Sequence, residues 1–233
     1  SVVDGSSDND FDGVDDQTIS ITTTNDDTAG FTIAISGGSK SVAESGSTDT
    51  FTVVLDAQPT SNVVISVSSG DTGEATVSPA TLTFTSGNWN SAQTVTVTGV
   101  DDSLVDGSQT TVATISVVDG SSDNDFDGVD DQTTNIETTD NDSVGFTLVE
   151  SSGSTTVNES GTTDTFTVVL NVQPSSDVVF SITSGDTDEA TVTSALTFTS
   201  ANWNSAQTVT VTGVDDNIID GTQTSTVTVS IVD

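Results

Sequence analysis

The sequence predicts an all-β fold of tandem immunoglobulin-like antiparallel β-sandwiches, about seven strands each. Three observations carry this expectation. Apolar residues alternate with Thr and Ser, as in Thr94-Val95-Thr96-Val97-Thr98, which sends Val to one face and Thr to the other. Turn signals such as Gly37-Gly38, Gln58-Pro59, Ser69-Gly70-Asp71 and Asp106-Gly107 break the chain at roughly the 8–12-residue spacing of a sandwich. And the chain repeats itself.

The repeat sets the domain plan. Residues 1–18 and 116–133 are the same eighteen letters, SVVDGSSDNDFDGVDDQT. Phe31 matches Phe146 and Phe51 matches Phe166 at an offset of 115. Trp89 matches Trp203 and Asp106 matches Asp220 at 114, the residue being lost where TVSPATLTF becomes TVTSALTF. SIVD at 230–233 returns to the phase of SVVD at 1–4. Residues 1–27 therefore read as the C-terminal loop and last strand of a preceding repeat. Residues 28–142 read as a complete sandwich, and residues 143–233 as a sandwich lacking its last strand. A window of a longer array explains this phase. The alternative is a head-to-tail subunit, in which residues 17–24 complete residues 143–233 of another copy by strand donation.

Within 28–142 the expected strands run in order over Phe31–Ser36, Asp49–Asp56, Asn62–Ser69, Thr81–Thr85, Ala92–Gly99, Gln109–Val118 and Gln132–Thr139, with a short extra strand at Ala75–Val77. The segment QTISITTT at 17–24 reads as the same closing strand as QTTNIETT at 132–139. No stretch has a 3.6-residue apolar period, so no long helix is expected.

Composition narrows the function. There are 36 Asp plus Glu against one basic residue, Lys40, for a net charge of −35. Such a chain does not bind nucleic acid, which needs cations to displace phosphate counterions, and it avoids anionic membrane surfaces. Self-repulsion of this size opposes compaction, and divalent cations are the natural relief. With no Cys and no His, disulfides are absent and zinc or His-based catalysis is not expected. No apolar run reaches transmembrane length.

Two groupings of acids are candidate Ca²⁺ sites. The first is the repeated loop DGSSDNDFDGVDD, with Asp123, Asp125, Asp127 and Asp131 in one copy and Asp8, Asp10, Asp12 and Asp16 in the other. Alternate carboxylates followed by glycine can wrap a hard cation, but Thr134 stands where an EF-hand needs its bidentate Glu, and the flanks are strands. The competing reading is a polar loop of Asx turns. The second grouping must assemble in space. Glu44 follows the first strand, Asp101, Asp102 and Asp106 lie in GVDDSLVDG, and Asp140 and Asp142 follow the closing strand at the junction. Their counterparts are Glu159, Asp215, Asp216 and Asp220, while Asp26 and Asp27 follow residues 17–24. Carboxylates gathered at one end of a sandwich repel unless protonated or metal-bound. Asp71 and Glu74, with Asp186 and Glu189, are weaker candidates that read rather as a solvated turn.

VAESG…DTFTVVL, the run FTSGNWNSAQTVTVTGVDD and the acidic linker resemble Calx-beta-like domains, found in sodium–calcium exchangers and, in tandem runs, in giant RTX-type bacterial surface adhesins. The resemblance covers both repeats. It implies an antiparallel sandwich, calcium at loops and junctions, and a spacing role at the extracellular cell surface. It matches Glu44, Asp101, Asp102, Asp140 and Asp142 to that family's acidic calcium ligands. The family often has Glu where this chain has Asp106 and Gln109.

Trp89 and Trp203 are expected to cover one end of each core, with stacking on a sugar as the competing reading. Lys40 has no counterpart, since Thr155 stands there, so a repeat-wide isopeptide bond is excluded. No cleft-forming insertion flanks the acids, so no enzyme is expected. The expected function is a calcium-stiffened tandem-repeat segment of an extracellular adhesin stalk or fibre. Its partners would be neighbouring repeats or identical chains end to end; a polysaccharide- or surface-binding module is the alternative.

Overall fold

The computed structural model describes residues 6, 8–11, 13–35 and 40–232. Ser36 and the Gly37-Gly38 turn lie outside the described residues, as does Asp12. The chain is all-β, and the only helical pieces among the described residues are three short 3-10 turns at Asn9–Phe11, Asp119–Ser121 and Asn124–Phe126. None is long and apolar enough to cross a membrane.

In chain order the strands of the first sandwich are β1 (Phe31–Ile35), β2 (Lys40–Ala43), β3 (Thr48–Leu55), β4 (Val63–Ser69), β5 (Ala75–Ser78), β6 (Thr81–Phe84), β7 (Gln93–Gly99), β8 (Gln109–Val117) and β9 (Gln132–Thr139). One sheet has the order β1-β3-β7-β5 and the facing sheet β2-β9-β8-β4-β6. The alternation read from the sequence is what fills the space between them. In β7, Val95 and Val97 are fully buried while the alternating Thr94, Thr96 and Thr98 are not. Phe51, Val53, Ile65, Phe84, Ile115 and Ile136 join them in one core.

One strand was not expected. β2 pairs with β9 in parallel, Lys40 opposite Ile136 and Ala43 opposite Thr139, in an otherwise antiparallel fold. Lys40 is fully buried, and its Nζ donates to Asp49 Oδ1 at 3.1 Å. The remaining expected strands stand within a residue or two of their ends.

The second sandwich comprises β10 (Phe146–Glu150), β11 (Thr163–Leu170), β12 (Val178–Ser184), β13 (Ala190–Val192), β14 (Ala195–Phe198), β15 (Gln207–Gly213) and β16 (Val227–Ile231). Its sheets are β10-β11-β15-β13 and β14-β12-β16. A core of Phe166, Val168, Phe180, Phe198 and Val209 lies between them, with Phe180 edge-on to both Phe146 and Phe198. Counterparts of β2 and β9 are absent among the described residues. β16 is correspondingly short: residues 223–226, which match the first four residues of β8, are not in a strand. A ladder needs a neighbouring strand for its N–H and C=O groups, and among the described residues no strand flanks residues 223–226, though Thr226 O accepts from the Gly185 N–H at 2.8 Å. Residues 17–24, for which a strand was expected, are likewise not in one.

Trp89 and Trp203 are partly buried against the two cores. Their carbonyls accept from the N–H of Leu55 and Leu170, tying each NWN turn to the end of a core strand.

Candidate metal centre

The ends of β2, β5, β7 and β9 converge at the junction end of the first sandwich. The parallel pairing of β2 with β9 continues one residue further, because the Glu44 N–H donates to Thr139 O at 3.1 Å. That bond places the Glu44 side chain beside the residues that leave β9. Glu44 is 1% exposed, and its Oε2 accepts from the Asn141 N–H at 3.3 Å. Asp140 Oδ1 accepts from the Asp142 N–H at 2.7 Å, and its Oδ2 accepts from the Gly107 N–H at 2.9 Å. Gly107 has φ +75°, a left-handed conformation that only glycine adopts without strain, and this aims its N–H at Asp140. Gly99, at the end of β7, approaches the β2 turn so closely that a Cβ would lie 2.1 Å from Ala43 O. The close approach lets the loop 100–108 reach the acids of β2 and β9.

Glu44, Asp140 and Asp142 each offer an oxygen within 4.8 Å of the other two. Glu74, Asp102 and Asp106 form a second group under the same criterion. Asp101 stands at the rim, its Oδ1 accepting from Asn141 Nδ2 at 2.9 Å. The two groups share one electrostatic neighbourhood. Burial, then the charges of Asp102, Asp140 and Asp106, push the Glu44 carboxyl above its ordinary range, against the opposing N–H of Asn141. Burial, then Asp106, Asp71 and Asp102, raise Glu74. Burial, then Asp140, Asp101, Asp102 and Asp106, raise Asp142. Asp140 moves the other way, held low by the N–H groups of Asp142 and Gly107.

Glu74 Oε2 and Asp142 Oδ2 are buried without a hydrogen-bond partner. A buried carboxylate oxygen left so is costly unless a cation faces it. Two adjoining sets of hard oxygen donors, with no nitrogen or sulfur, have the chemistry of a Ca²⁺ site. The residues present therefore fit the ion that the sequence suggested.

Glu74 was only a weaker candidate from the sequence, read rather as part of a solvated turn. Its signal was its repetition, as Glu189, immediately before the buried Ala75 and Ala190. In the second sandwich Glu189, Asp216 and Asp220 form the corresponding group. Burial, then Asp220, Asp186, Asp216 and Glu159, raise Glu189. Glu159 and Asp215 are exposed.

The loop at 119–131 is built differently. Asp123 is 5% exposed, and its Oδ2 accepts from Thr60 N, Thr60 Oγ1 and Ser61 N, each at 2.7 Å. Its Oδ1 accepts from Asp125 N at 3.1 Å, an Asx turn. The Thr60 hydroxyl first, then the N–H groups of Ser61 and Asp125, hold its carboxyl down at about 2. Phe126, two percent exposed, anchors the loop in the core. Asp125, Asp127 and Asp131 are exposed. In the N-terminal copy Asp8, Asp10 and Asp16 are exposed, as are Asp26 and Asp27. None of these residues belongs to a converging carboxylate group among the described residues.

No protein-family model matches the chain, and no curated protein does. Among solved structures the chain is similar to the calcium binding domain CBD12 of CALX1.1, at 12% identity and TM-score 0.35, covering 79% of this chain and 76% of that one. It is similar to CBD12 from CALX1.2 at 12% identity and TM-score 0.35, covering 85% and 79%. It is also similar to surface layer protein SbsC, domains 4-9, at 22% identity and TM-score 0.30, covering 86% of this chain and 29% of that one. Likenesses at these scores carry no argument; the sandwich architecture rests on the sheets and registers described above.

Proposed function

We propose that this chain is a structural, calcium-stiffened tandem-repeat segment of an extracellular bacterial adhesin stalk or fibre. The observation that supports the reading is the carboxylate pair of groups at the junction, with two buried oxygens lacking a partner. Bound there, Ca²⁺ would supply the positive charge that a chain of net charge −35 does not have. The ligands Asp140 and Asp142 belong to the few residues that lead from β9 into β10. Ser103, in the same loop as Asp102 and Asp106, accepts from the Gln173 N–H of the second sandwich at 2.8 Å. Ordering the acids therefore orders both links between the sandwiches. A cation bound only by the folded form also adds stability by mass action. Near-identical repeats serve reach, which grows with their number, and do nothing for a single catalytic site. The resemblance to Calx-beta-like domains points the same way.

Small-angle scattering of the chain in millimolar calcium and in chelator tests the proposal. The expected result is a narrower distribution of inter-sandwich distances with calcium. Superimposable curves in the two media would overturn it.

A further inference from the structure

On the calcium reading of the junction, we infer that Lys40 is a positioning residue of its metal centre. The ion pair of Lys40 with Asp49 pins β2 in the register that delivers Glu44 to Asp140 and Asp142.

The sequence of β2 specifies its own place poorly. The strand is four residues long, lies at the edge of its sheet and has β9 as its neighbour there. Parallel pairing is slightly weaker per residue than antiparallel pairing. Val42 is the one β2 residue in the apolar core. A strand with a single apolar anchor has a weakly fixed register. Glu44 is the residue that suffers from a slip. Lys40, Val42 and Glu44 share one face, and all three are buried. A shift of one residue turns Glu44 away from that face, and a shift of two carries it about 7 Å along β9. Either shift parts Glu44 from Asp140 and Asp142, whose oxygens lie within 4.8 Å of its own.

The ion pair opposes both shifts. Lys40 is fully buried, and its Nζ donates to Asp49 Oδ1 at 3.1 Å. Asp49 belongs to β3 of the facing sheet, so the pair joins one sheet to the other. A slipped β2 would draw a buried ammonium away from this carboxylate, which costs far more than moving a methyl group. Setting register is the best-attested use of a buried charge pair.

The charge of Lys40 acts on the centre differently from its register. Lys40 is four residues from Glu44, about 13 Å along the strand. Across that distance its charge is largely screened, and what remains repels a cation. Through charge alone, losing Lys40 would tighten calcium binding. Through register, losing it weakens binding. Lys40→Met keeps the length of the side chain and removes the charge. Asp49 then retains the Thr50 N–H at 2.7 Å and is 26% exposed to water, so the rest of the sandwich stays folded.

Nuclear magnetic resonance of the parent chain, Lys40→Met, Glu44→Gln and the double variant tests this inference. In chelator, hydrogen exchange of the Glu44 amide, bonded to Thr139 O, reports the register. Lys40→Met should speed that exchange by at least about tenfold and leave the amides of Phe51 and Val95 as protected as in the parent. In a calcium titration the amides of Asn141 and Gly107, which donate to Glu44 and Asp140, report the centre. Lys40→Met should weaken binding there by at least about threefold, and add no further loss to Glu44→Gln. The Gly221 amide, beside Asp220 of the second sandwich, should titrate as in the parent. Unchanged protection of Glu44 overturns the inference, as does calcium binding that stays equal or tightens in Lys40→Met, or losses that add in the double variant; in these cases the calcium reading stands. Parent amides that do not respond to calcium overturn the calcium reading and the metal role of Lys40 together.

Discussion

Glu44 and Glu159 hold the same place in the two repeats and meet opposite surroundings. The first is 1% exposed beneath Asn141, and the second lies in solvent. The difference is β9 and the junction residues that follow it, which cover only Glu44. This contrast sets the predictions at the scale of single side chains. Asp142→Asn should lower calcium affinity by at least about tenfold, because it removes one charged oxygen donor from a carboxylate site. The same variant should raise the melting temperature in chelator, since Asp142 is buried among like charges. Calorimetric titration and thermal circular dichroism check the two halves. Asp123→Ala should do the reverse: leave calcium affinity unchanged and lower the melting temperature by several degrees, because Thr60 and Ser61 lose their shared acceptor. Thermal unfolding of this variant at two calcium concentrations measures it. The acids at strand ends were legible in the sequence, since the strands themselves were. Glu74 was not, because GDTGEATV has the composition of a solvated turn and only the fold shows Glu74 against Asp102 and Asp106.

At the scale of elements, the alternating strands were legible and their partners were not. β2 is four residues long and contains the chain's only cation, so nothing local marks it; its parallel pairing with β9 spans about 100 residues of sequence. Residues 17–24 carry the pattern of β9 and form no strand, because the pattern describes a face and a strand also needs a neighbour's backbone. Ile136→Ala in β9 should cost about 2–5 kcal/mol, the usual range for emptying a fully buried Ile site. Ile21→Ala, at the matching position in the N-terminal segment, should leave the monomer's stability unchanged, because that side chain is exposed. Denaturant unfolding of the two variants at low concentration separates the effects.

For the whole molecule the governing quantity is charge. The carboxyls of Glu44, Glu74, Asp142 and Glu189 are raised above their ordinary values in the folded state. A raised folded value means that the fold takes up protons, so these groups add stability on the acid side and lose it as pH rises through their folded values. In chelator the melting temperature should therefore climb as pH falls from neutral toward the ordinary carboxylate values of 4.5 and 3.8. In saturating calcium the dependence should invert over the same window, because protons compete with the cation for the same oxygens. Well below that window Asp123, Asp140 and Asp164, whose carboxyls are held low, lose their contributions as pH falls through their folded values. Differential scanning calorimetry across pH in both media checks the sign. A falling melting temperature on acidification in chelator, across that same window, would sink the electrostatic account.

The sequence by itself determined the class of fold, the repeat and the location of the acids at strand ends, because side-chain alternation and turn chemistry act between near neighbours. Only the tertiary structure decided which carboxylates meet, that Asp123 serves hydrogen bonds, and that one closing strand is paired while its twin is not. Those outcomes depend on groups brought together from distant parts of the chain, and a ladder or a cluster exists only where both sides are present.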